Sequence, residues 1–492
     1  MRTRSIAALA AAILFAGGCT STGTPASSDS SADREQLTVA MTWQPRTGMS
    51  PYTDDGYSLT RAGVTETLLR ISDDGDVEPA LAAAFDVVDD TTVRFTLRDG
   101  VTFHDGTALT AEAVVTALTA AQKAKPQPAA LAGLELTITA DDDKTVTVTA
   151  AGADPVLANR FTTPGTMILA PKAYQAAEQP DVVGTGTGPF ELTEQPTTSG
   201  MTLTAFDQYW DGKPASSGMD VRFISDPSAR IAGLRAGNLD IASDIPITQL
   251  GQLAEGQIVT IAEPRLTGAF LNTEGILSDP GLRSAAAQAL SSEAVVQGAF
   301  QNHAGVATAT LEGERWAQLR PDVVLPEPAA VNGEELTVAT YDDRPELPAA
   351  VTIVADQLRE AGFTVADPVV KSYTLMETDI LGGTYDVVVT SHRTTGETSE
   401  WASGVNKAFG CEGSWNIGRL CDEAVDAAIA EAMMAPVGEE RDRLTAEAEA
   451  LGLSKASFVP LAHQRIFVSV REGVTGISTD PARFRMLTHT TG

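Results

Sequence analysis

Side chains that could perform acid–base or metal chemistry are scattered in this 492-residue sequence and do not fall at catalytic spacings. There is no Gly-x-Ser-x-Gly elbow and no His-Glu-x-x-His helix, and the single Gly-Lys pair, Gly212-Lys213, is followed by proline rather than by Ser or Thr. The five histidines are far apart: His104, His303, His392, His463 and His489. The sequence therefore predicts no catalytic residue, no cofactor and no protein metal site.

A glycine-rich stretch could be mistaken for a nucleotide-binding loop. It reads Gly-Thr-Gly-Thr-Gly-Pro from Gly184 to Pro189. The spacing is not that of a dinucleotide fingerprint, and Pro189 lacks the backbone N–H that would face a phosphate. We therefore assign no nucleotide to this loop.

The charge balance excludes one class of partner. The formal net charge is −31, from 65 acidic against 34 basic residues. Such a field repels phosphate backbones and anionic lipid surfaces. Nucleic-acid binding is therefore not expected, and the acidity is typical of a well-solvated surface.

The clearest local pattern is an alternating run followed by a helix. Apolar and polar residues alternate over 93–97, which predicts a strand with one buried face, and Asp99-Gly100 predicts a turn into a second short strand at 101–103. Thr110 then has the position of an N-cap for a helix with one apolar face. Together these residues predict a strand, hairpin and helix module.

Strands and helices alternate in the rest of the chain. A strand followed by a helix and a second strand indicates a parallel α/β sheet. Two such units are predicted: 221–224, 226–237 and 239–242, then 336–340, 348–361 and 363–365. A buried strand is predicted at 385–390, and one continuous helix is predicted from Ala285 to Phe300.

Residues 1–19 have the layout of an export signal. Two arginines precede an apolar run that is too short to span a bilayer, and small residues lead to Cys19. The layout resembles a bacterial lipoprotein signal, in which the cysteine becomes acylated; the alternative is an ordinary secretory signal with an incidental cysteine. Residues 20–36 are rich in Ser and Thr and predict a flexible tether.

Cys411 and Cys421 are the cysteines that remain after such processing. In an exported protein they are expected to form a disulfide. The alternative is a metal clip, which lacks histidines and carboxylates at a recognised spacing.

The centre of the stretch from Glu66 to Leu118 reads Phe-Thr-Leu-Arg-Asp-Gly-Val-Thr-Phe-His-Asp-Gly-Thr from Phe95 to Thr107. This stretch resembles a signature of the bacterial extracellular solute-binding proteins called family 5. The Gly-Thr-Gly-Pro-Phe run that ends at Phe190 and the Tyr-Trp-Asp-Gly-Lys-Pro run from Tyr209 to Pro214 resemble further segments of that family. Its members serve peptide and nickel ABC importers.

The resemblance implies an α/β fold that is two-lobed and periplasmic-binding-protein-like (type II), with an inserted α+β domain. Each lobe is then built from separate parts of the chain. The predicted divisions are lobe I at 37–51, 172–266 and 461–492, domain II at 52–171, and lobe III at 267–460.

The resemblance also indicates which residues approach the solute. A loop follows the strand at 385–390, where α/β sheets hold ligands. Within it Arg393 resembles the arginine that holds the carboxylates of a metal chelate in nickel-binding members, and Glu397 or Glu400 is a candidate for pairing with the α-amino group of a peptide. The predicted solute-binding set is Trp43, Tyr52, Arg160, His392, Arg393, Thr395, Glu397, Trp401, Trp415 and Asn416.

The implied function is that of a receptor for an importer. The protein would be a monomer, held at the outer face of the cell membrane by a lipid anchor alone, and would pass a small solute to a separate ABC permease and ATPase complex. Short peptides are the primary solute class, and nickel or a metal chelate is the alternative. The alternatives from other classes are a secreted hydrolase and a surface adhesin or signalling receptor that has lost transport.

Overall fold

The computed structural model describes residues 35–492 except 74, 176–178 and 396–397. The predicted export signal, its Cys19 and most of the tether lie outside the described residues, and so does Glu397. Within the described part, no helix is both long enough and apolar enough to cross a bilayer.

Strands and helices alternate along most of the described chain. The strands are β1 (Gln36–Met41), β2 (Leu69–Ile71), β3 (Val77–Pro79), β4 (Ala82–Val87), β5 (Thr92–Leu97), β6 (Leu136–Ala140), β7 (Thr145–Ala150), β8 (Phe190–Leu192), β9 (Gly200–Ala205), β10 (Gly218–Phe223), β11 (Ile241–Ala242), β12 (Ile258–Leu271), β13 (Gly305–Val306), β14 (Glu335–Leu336), β15 (Val338–Tyr341), β16 (Thr364–Val365), β17 (Val369–Lys371), β18 (Val387–Arg393) and β19 (Phe458–Val470). The α-helices are α1 (Asp55–Arg61), α2 (Ala111–Lys123), α3 (Pro227–Arg235), α4 (Ile247–Leu250), α5 (Pro280–Ala289), α6 (Ser292–Gly298), α7 (Glu314–Leu319), α8 (Leu347–Glu360), α9 (Tyr373–Leu381), α10 (Trp401–Phe409), α11 (Glu423–Met434) and α12 (Glu439–Ser454).

One 11-stranded sheet runs through the molecule in the order β17-β15-β18-β12-β19-β11-β1-β10-β9-β8, with β13 paired to β19. The two longest strands, β12 and β19, lie antiparallel in its middle. They join what we call sheet half 1 (β11, β1, β10, β9 and β8) to sheet half 2 (β18, β15 and β17). The fold is the predicted mixed α/β arrangement, with β1 and β10 parallel in half 1 and β15 and β18 parallel in half 2.

The pairing of β12 with β19 is interrupted where the two halves meet. Ala262 pairs with Arg465 and Leu266 pairs with His463, so that three residues of β12 face the single residue Gln464. Such a bulge bends a strand and redirects its side chains. Its residues are Glu263, Pro264 and Arg265, and the proline cannot donate a hydrogen bond to the ladder.

A separate four-stranded antiparallel sheet, β4-β5-β7-β6, packs against helix α2. Alternation along β5 buries Val93 and Phe95, as the sequence predicts. Thr110 caps α2, since its Oγ1 accepts a hydrogen bond from the backbone N–H of Ala113 at 3.2 Å. The predicted second strand at 101–103 is wrong: only an isolated bridge between Thr102 and Ala108 forms there.

The glycine-rich stretch is a packing segment. A side chain at Gly186 would lie 2.0 Å from the carbonyl oxygen of Val64, so only glycine fits this close backbone approach. His104 of the signature reaches the same stretch, with its Nε2 2.9 Å from the carbonyl oxygen of Gly188. Burial lowers the pKa of His104 to about 4, so the ring is neutral at pH 7.

The buried apolar side chains form three large clusters. One draws its buried residues from 68–170, a second from 37–64, 167–261 and 468–487, and the third from 266–462. The predicted single helix from Ala285 to Phe300 is wrong. The structure has α5 and α6 there, because Ser291 leaves the helical path and accepts a hydrogen bond from the N–H of Ala294.

Candidate functional site

Charged side chains converge where the two sheet halves meet. On the half 1 side, Arg483 pairs with Asp244, and Arg61 donates a hydrogen bond from Nε to the carbonyl oxygen of Arg483 at 2.7 Å. Across the junction, the Glu263 carboxylate lies 3.7 Å from Arg483 and 3.4 Å from Arg265. The bulge in β12 therefore places the Glu263 carboxylate beside the Arg265 guanidinium, between the two sheet halves.

Two more arginines extend the cluster on the half 2 side. Arg393 is the last residue of β18 and lies opposite Arg265 of β12. It reaches back to half 1, where its Nη2 donates to the carbonyl oxygen of Ala482 at 3.4 Å. Arg344, in the loop after β15, acts electrostatically on both Glu263 and Arg265. We call Arg61, Asp244, Glu263, Arg265, Arg344, Arg393 and Arg483 the junction cluster.

The pKa shifts of Glu263 and Arg265 reflect the arginines that surround them in the junction cluster. Burial alone would raise the pKa of Glu263, yet Arg265, Arg483 and further arginines lower it. The pKa of Arg265 is lowered to about 10. Burial is the main cause and repulsion from Arg344 and Arg393 adds to it, while Glu263 acts in the opposite direction. The cluster holds more guanidinium groups than carboxylates, and the pKa values of Glu263 and Arg265 leave these two groups ionised at neutral pH.

The loop after β18 contributes less to this cluster than the sequence predicted. His392 is buried between the rings of Phe270 and Phe458, at 5.6 and 5.5 Å between centroids, and burial lowers its pKa to about 3. Thr395 is buried, and its Oγ1 has no hydrogen-bond partner among the described residues, which do not include the neighbouring 396–397. Of the solute-binding residues predicted in this part of the chain, Arg393, at the end of β18, belongs to the cluster, and Glu397 lies outside the described residues.

The other predicted residues lie in several different places. Trp43 is 58% exposed and borders a small cavity beside Arg61 and Arg483. Tyr52 packs against the apolar cluster of 68–170, where its hydroxyl has no partner among the described residues and burial raises its pKa. Arg160 forms an ion pair with Asp154 and donates from Nη1 to the carbonyl oxygen of Ala130 at 2.7 Å, so it binds neighbouring residues of its own segment.

Trp401 and the residues around the cysteine pair lie on the half 2 side. Trp401 begins α10 and packs its ring 5.5 Å from that of Trp316. Trp415 stacks on Tyr373 at 5.9 Å between ring centroids. Asn416 donates from Nδ2 to two backbone carbonyls, at 2.9 and 2.6 Å.

Cys411 and Cys421 form a disulfide in the structure. Asn416 closes the turn between them, because its amide bonds to the carbonyl oxygens of Gly410 and Leu420. The one metal-like grouping among the described residues consists of these two cysteines and Asp426. Cysteines that share a disulfide have no thiolate to offer, so this grouping is not a metal site.

The sequence analysis missed most of the junction cluster. Arg61, Asp244, Glu263, Arg265, Arg344 and Arg483 belong to it and were not in the predicted set. One local signal was present, because a proline inside a strand-like run, here Pro264, indicates a bulge or an edge. The other residues are brought together only by the long-range pairing of strands.

A cavity of about 230 Å³ lies elsewhere, between β2 and the C-terminal segment. Two of the three carboxylates that line it, Glu66 and Asp480, already accept hydrogen bonds. Glu66 accepts hydrogen bonds from Tyr209 at 2.7 Å and Trp210 at 3.1 Å, and Asp480 accepts from the backbone N–H groups of Ala482, Phe484 and Arg485. The junction cluster, with its excess of arginine, is therefore the stronger candidate for a ligand site.

Comparison with known proteins agrees with this architecture. Residues 76–413 match the family model described as bacterial extracellular solute-binding proteins, family 5 Middle. The chain is 23% identical over 385 residues to the nickel-binding protein NikA of Staphylococcus aureus, covering 74% of each chain. It is 25% identical over 452 residues to the probable di/tripeptide-binding protein 5 of Pseudomonas aeruginosa, covering 83% of this chain and 85% of that one.

A solved structure shows the same fold. The nickel ABC transporter protein from Bacillus halodurans superposes with a TM-score of 0.80 at 22% identity, over 92% of this chain and 99% of that one. The type II binding-protein fold with its mixed sheets is thus common to both. From the family match and the shared architecture, this chain belongs to the bacterial extracellular solute-binding proteins of family 5.

Proposed function

We propose that the chain captures a short peptide outside the cytoplasm and delivers it to the permease and ATPase of an ABC importer. The solute binds at the junction cluster, between the two halves of the large sheet. Closing the halves over it removes both surfaces from water, which strengthens every charged contact inside.

One observation carries this proposal: charged groups from both halves meet at a single point. Arg393 of half 2 reaches the carbonyl oxygen of Ala482, and Arg483 of the half 1 side reaches Glu263 in the bulge. A solute between the halves would touch residues of both at once. The long strands β12 and β19 connect the halves and would act as the hinge.

The proposed domain division follows the predicted boundaries. Half 1, with the C-terminal return, corresponds to lobe I, and half 2 corresponds to lobe III. The four-stranded sheet and α2 belong to domain II at 52–171. The three apolar clusters support this division, because each draws its residues mainly from one of these parts.

A nickel or metal-chelate cargo is the second candidate solute. The similarity to the nickel-binding protein of S. aureus favours it. Among the described residues no set of histidines and carboxylates is placed to hold a bare ion. Such a metal would therefore arrive inside a chelate, whose carboxylates the arginines would hold.

We further propose that the protein has no catalytic activity. A secreted hydrolase with a Ser-His-Asp type of site would need an ionisable histidine beside its nucleophile. Burial instead lowers the pKa of His104, His392 and His463 to about 4, 3 and 4. None of these three rings is placed as a solvent-accessible base.

The proposed location is the outer face of the cell membrane, with acylated Cys19 as the anchor and the protein otherwise a monomer in solution. The test is fractionation of cells that express the full chain. A Cys19→Ser variant should leave the membrane fraction, and a variant that stays there would contradict the anchor.

Native mass spectrometry of freshly purified protein tests the binding function itself. A retained small molecule that dissociates on unfolding is the expected result. Recovery of a peptide mixture would exclude the metal chelate as the solute, and recovery of a single metal complex would exclude the peptide. Turnover of a substrate by the purified protein alone would overturn the whole proposal.

A further inference from the structure

We propose that the cavity between β2 and the C-terminal segment is a second binding site, which takes a small organic cation such as a primary amine. No residue of the junction cluster lines this cavity, so the site is separate from the one proposed for the solute. Its volume is about 230 Å³. A cavity of about 150 Å³ is enough for a benzene molecule, so a slightly larger amine that carries a ring fits here.

Glu66 is the central residue of this site. Its carboxylate accepts hydrogen bonds from the Tyr209 hydroxyl at 2.7 Å and from the indole Nε1 of Trp210 at 3.1 Å. Both donors are neutral, and no arginine, lysine or histidine among the described residues lies within ion-pair distance of Glu66. The hydrogen bonds therefore hold the carboxylate in place without supplying a counter-charge.

The two arginines that line the cavity already have carboxylate partners. The Nε of Arg70 lies 3.3 Å from a carboxylate oxygen of Glu78. The Nε of Arg485 lies 3.9 Å from a carboxylate oxygen of Asp480. These arginines are therefore compensated by other carboxylates and do not supply the counter-charge that Glu66 lacks.

Asp211 adds a second carboxylate at the cavity, and its side chain is 42% exposed. Among the described residues only the ring of His489 lies within ion-pair distance of it, at 3.9 Å, and that ring carries a charge only when it is protonated. Burial and the charge of Asp211 raise the pKa of Glu66, although the hydrogen bonds from Tyr209 and Trp210 lower it. A cation in the cavity would favour the ionised forms of both carboxylates.

The wall of the cavity also holds an unsatisfied hydroxyl group. Thr65 lines the cavity and is 3% exposed, and its Oγ1 has no hydrogen-bond partner among the described residues. Buried polar atoms without a partner are rare in folded proteins. Thr65 is therefore a further acceptor at this site, beside the two carboxylates.

The spacing of the acceptors favours an organic cation over a metal ion. Among the described residues that line this cavity, no three histidine or carboxylate ligand atoms lie close enough together to hold a metal. The rings of Tyr209 and Phe484 line the cavity, and aromatic rings attract ammonium groups at their faces. The site therefore matches a primary amine that carries an apolar or aromatic body.

Isothermal titration calorimetry of the purified protein, at neutral pH and fixed ionic strength, tests the inference. The probe is benzylamine, which is a cation under these conditions. The matched control is benzyl alcohol, a neutral molecule of the same size. We expect benzylamine to bind at least about tenfold more tightly, because only the cation forms a charged hydrogen bond with Glu66.

Two variants locate the effect. Glu66→Gln keeps the shape of the side chain and should weaken benzylamine binding by about tenfold or more, because it removes a charge from a desolvated site. Asp211→Asn should weaken it by about threefold, because solvent screens this more exposed charge. Asp211 accepts no hydrogen bond from the residues that the structure describes, so Asp211→Asn should fold like the parent even if Glu66→Gln does not.

Asp220→Asn is the matched control for the overall charge. The protein has a net charge of −31, so any cation is attracted to it to some extent. Asp220 pairs with Arg222 on β10 and does not line the cavity. Its substitution removes the same charge as Asp211→Asn and should leave benzylamine binding unchanged.

Three results would overturn the inference. Benzylamine binds no more tightly than benzyl alcohol, or Glu66→Gln and Asp211→Asn both bind benzylamine as tightly as the parent, or Asp220→Asn weakens binding as much as Asp211→Asn does. The last result would mean that benzylamine responds to the net charge of the protein and not to this cavity. The solute proposed for the junction cluster is identified independently, by native mass spectrometry.

Discussion

Arg265 and Arg393 occupy directly opposed positions on the antiparallel strands β12 and β18. Like charges in such positions destabilise a strand pair. Glu263, two residues before Arg265 and only 4% exposed, offsets part of that cost. The sheet therefore carries an electrostatic strain at the point where its two halves meet.

Loss of Glu263 should be costly. Glu263→Gln removes the buried carboxylate that four arginines face, and the free energy of unfolding should fall by about 3 kcal/mol. Urea denaturation followed by circular dichroism measures this. Glu274→Gln is the control, because Glu274 forms a more exposed pair with Arg419 and should change stability by less than about 1 kcal/mol. Equal effects of the two substitutions would contradict the account of the cluster.

Acid should destabilise the protein partly through Asp244. Burial alone would raise the pKa of Asp244, but Arg483 and Arg61 hold it at about 2, below its usual 3.8. A carboxylate with a depressed pKa stabilises the fold above its unfolded pKa, and this contribution is lost as the pH falls from about 4 towards 2. Asp244→Asn should therefore lower stability at pH 7 by about 2 kcal/mol and flatten the loss between pH 4 and 2. An acid limb as steep as that of the parent would refute this assignment.

The Cys411–Cys421 bond should stabilise half 2. It closes a loop with a sequence separation of 10, and a loop of that length contributes about 3 kcal/mol in the chain-entropy model. Reduction of the native protein, or the double change Cys411→Ser and Cys421→Ser, should lower the melting temperature. Mass spectrometry after alkylation checks that the thiols are paired beforehand, and two free thiols in the purified protein would be the contrary result.

A surface ion pair should hold two parts of the molecule together. Arg315 of α7 donates to Asp442 of α12 and to Asp76 at 2.9 Å, so it links these two helices to the segment between β2 and β3. Both Arg315 and Asp76 are well exposed, so Arg315→Gln should change the closing equilibrium by no more than about fivefold. Small-angle scattering of the unliganded variant should show a larger radius of gyration, whereas Arg419→Gln should leave it unchanged. An unchanged radius in Arg315→Gln would exclude the contact as a closing element.

Local signals in the sequence were sufficient for much of the fold. The cap at Thr110 and the alternation along β5 each depend on a few neighbouring residues, and the structure has both. The helix predicted from Ala285 to Phe300 failed because a serine cap inside an apolar pattern was read as a helical position. These are short-range features on which tertiary packing has little influence.

The site was harder to predict because it depends on long-range register. Arg265 and Arg393 are far apart in the chain, and the pairing of β12 with β18 brings them together, while Arg483 reaches Glu263 from the C-terminal segment after β19. His392 was expected at the ligand, but β18 extends through Arg393, and the strand alternation turns the His392 ring into the core beside Phe270. Because neighbouring residues of a strand point to opposite faces, the His392 side chain lies in the core while that of Arg393 belongs to the junction cluster.

A crystal structure of the solute-loaded protein tests the central claim most directly. The account predicts electron density for the solute between the sheet halves, with carboxylate oxygens within hydrogen-bond distance of Arg344 or Arg393. Density instead in the cavity beside Glu66 and Tyr209, with the junction cluster unchanged, would contradict it.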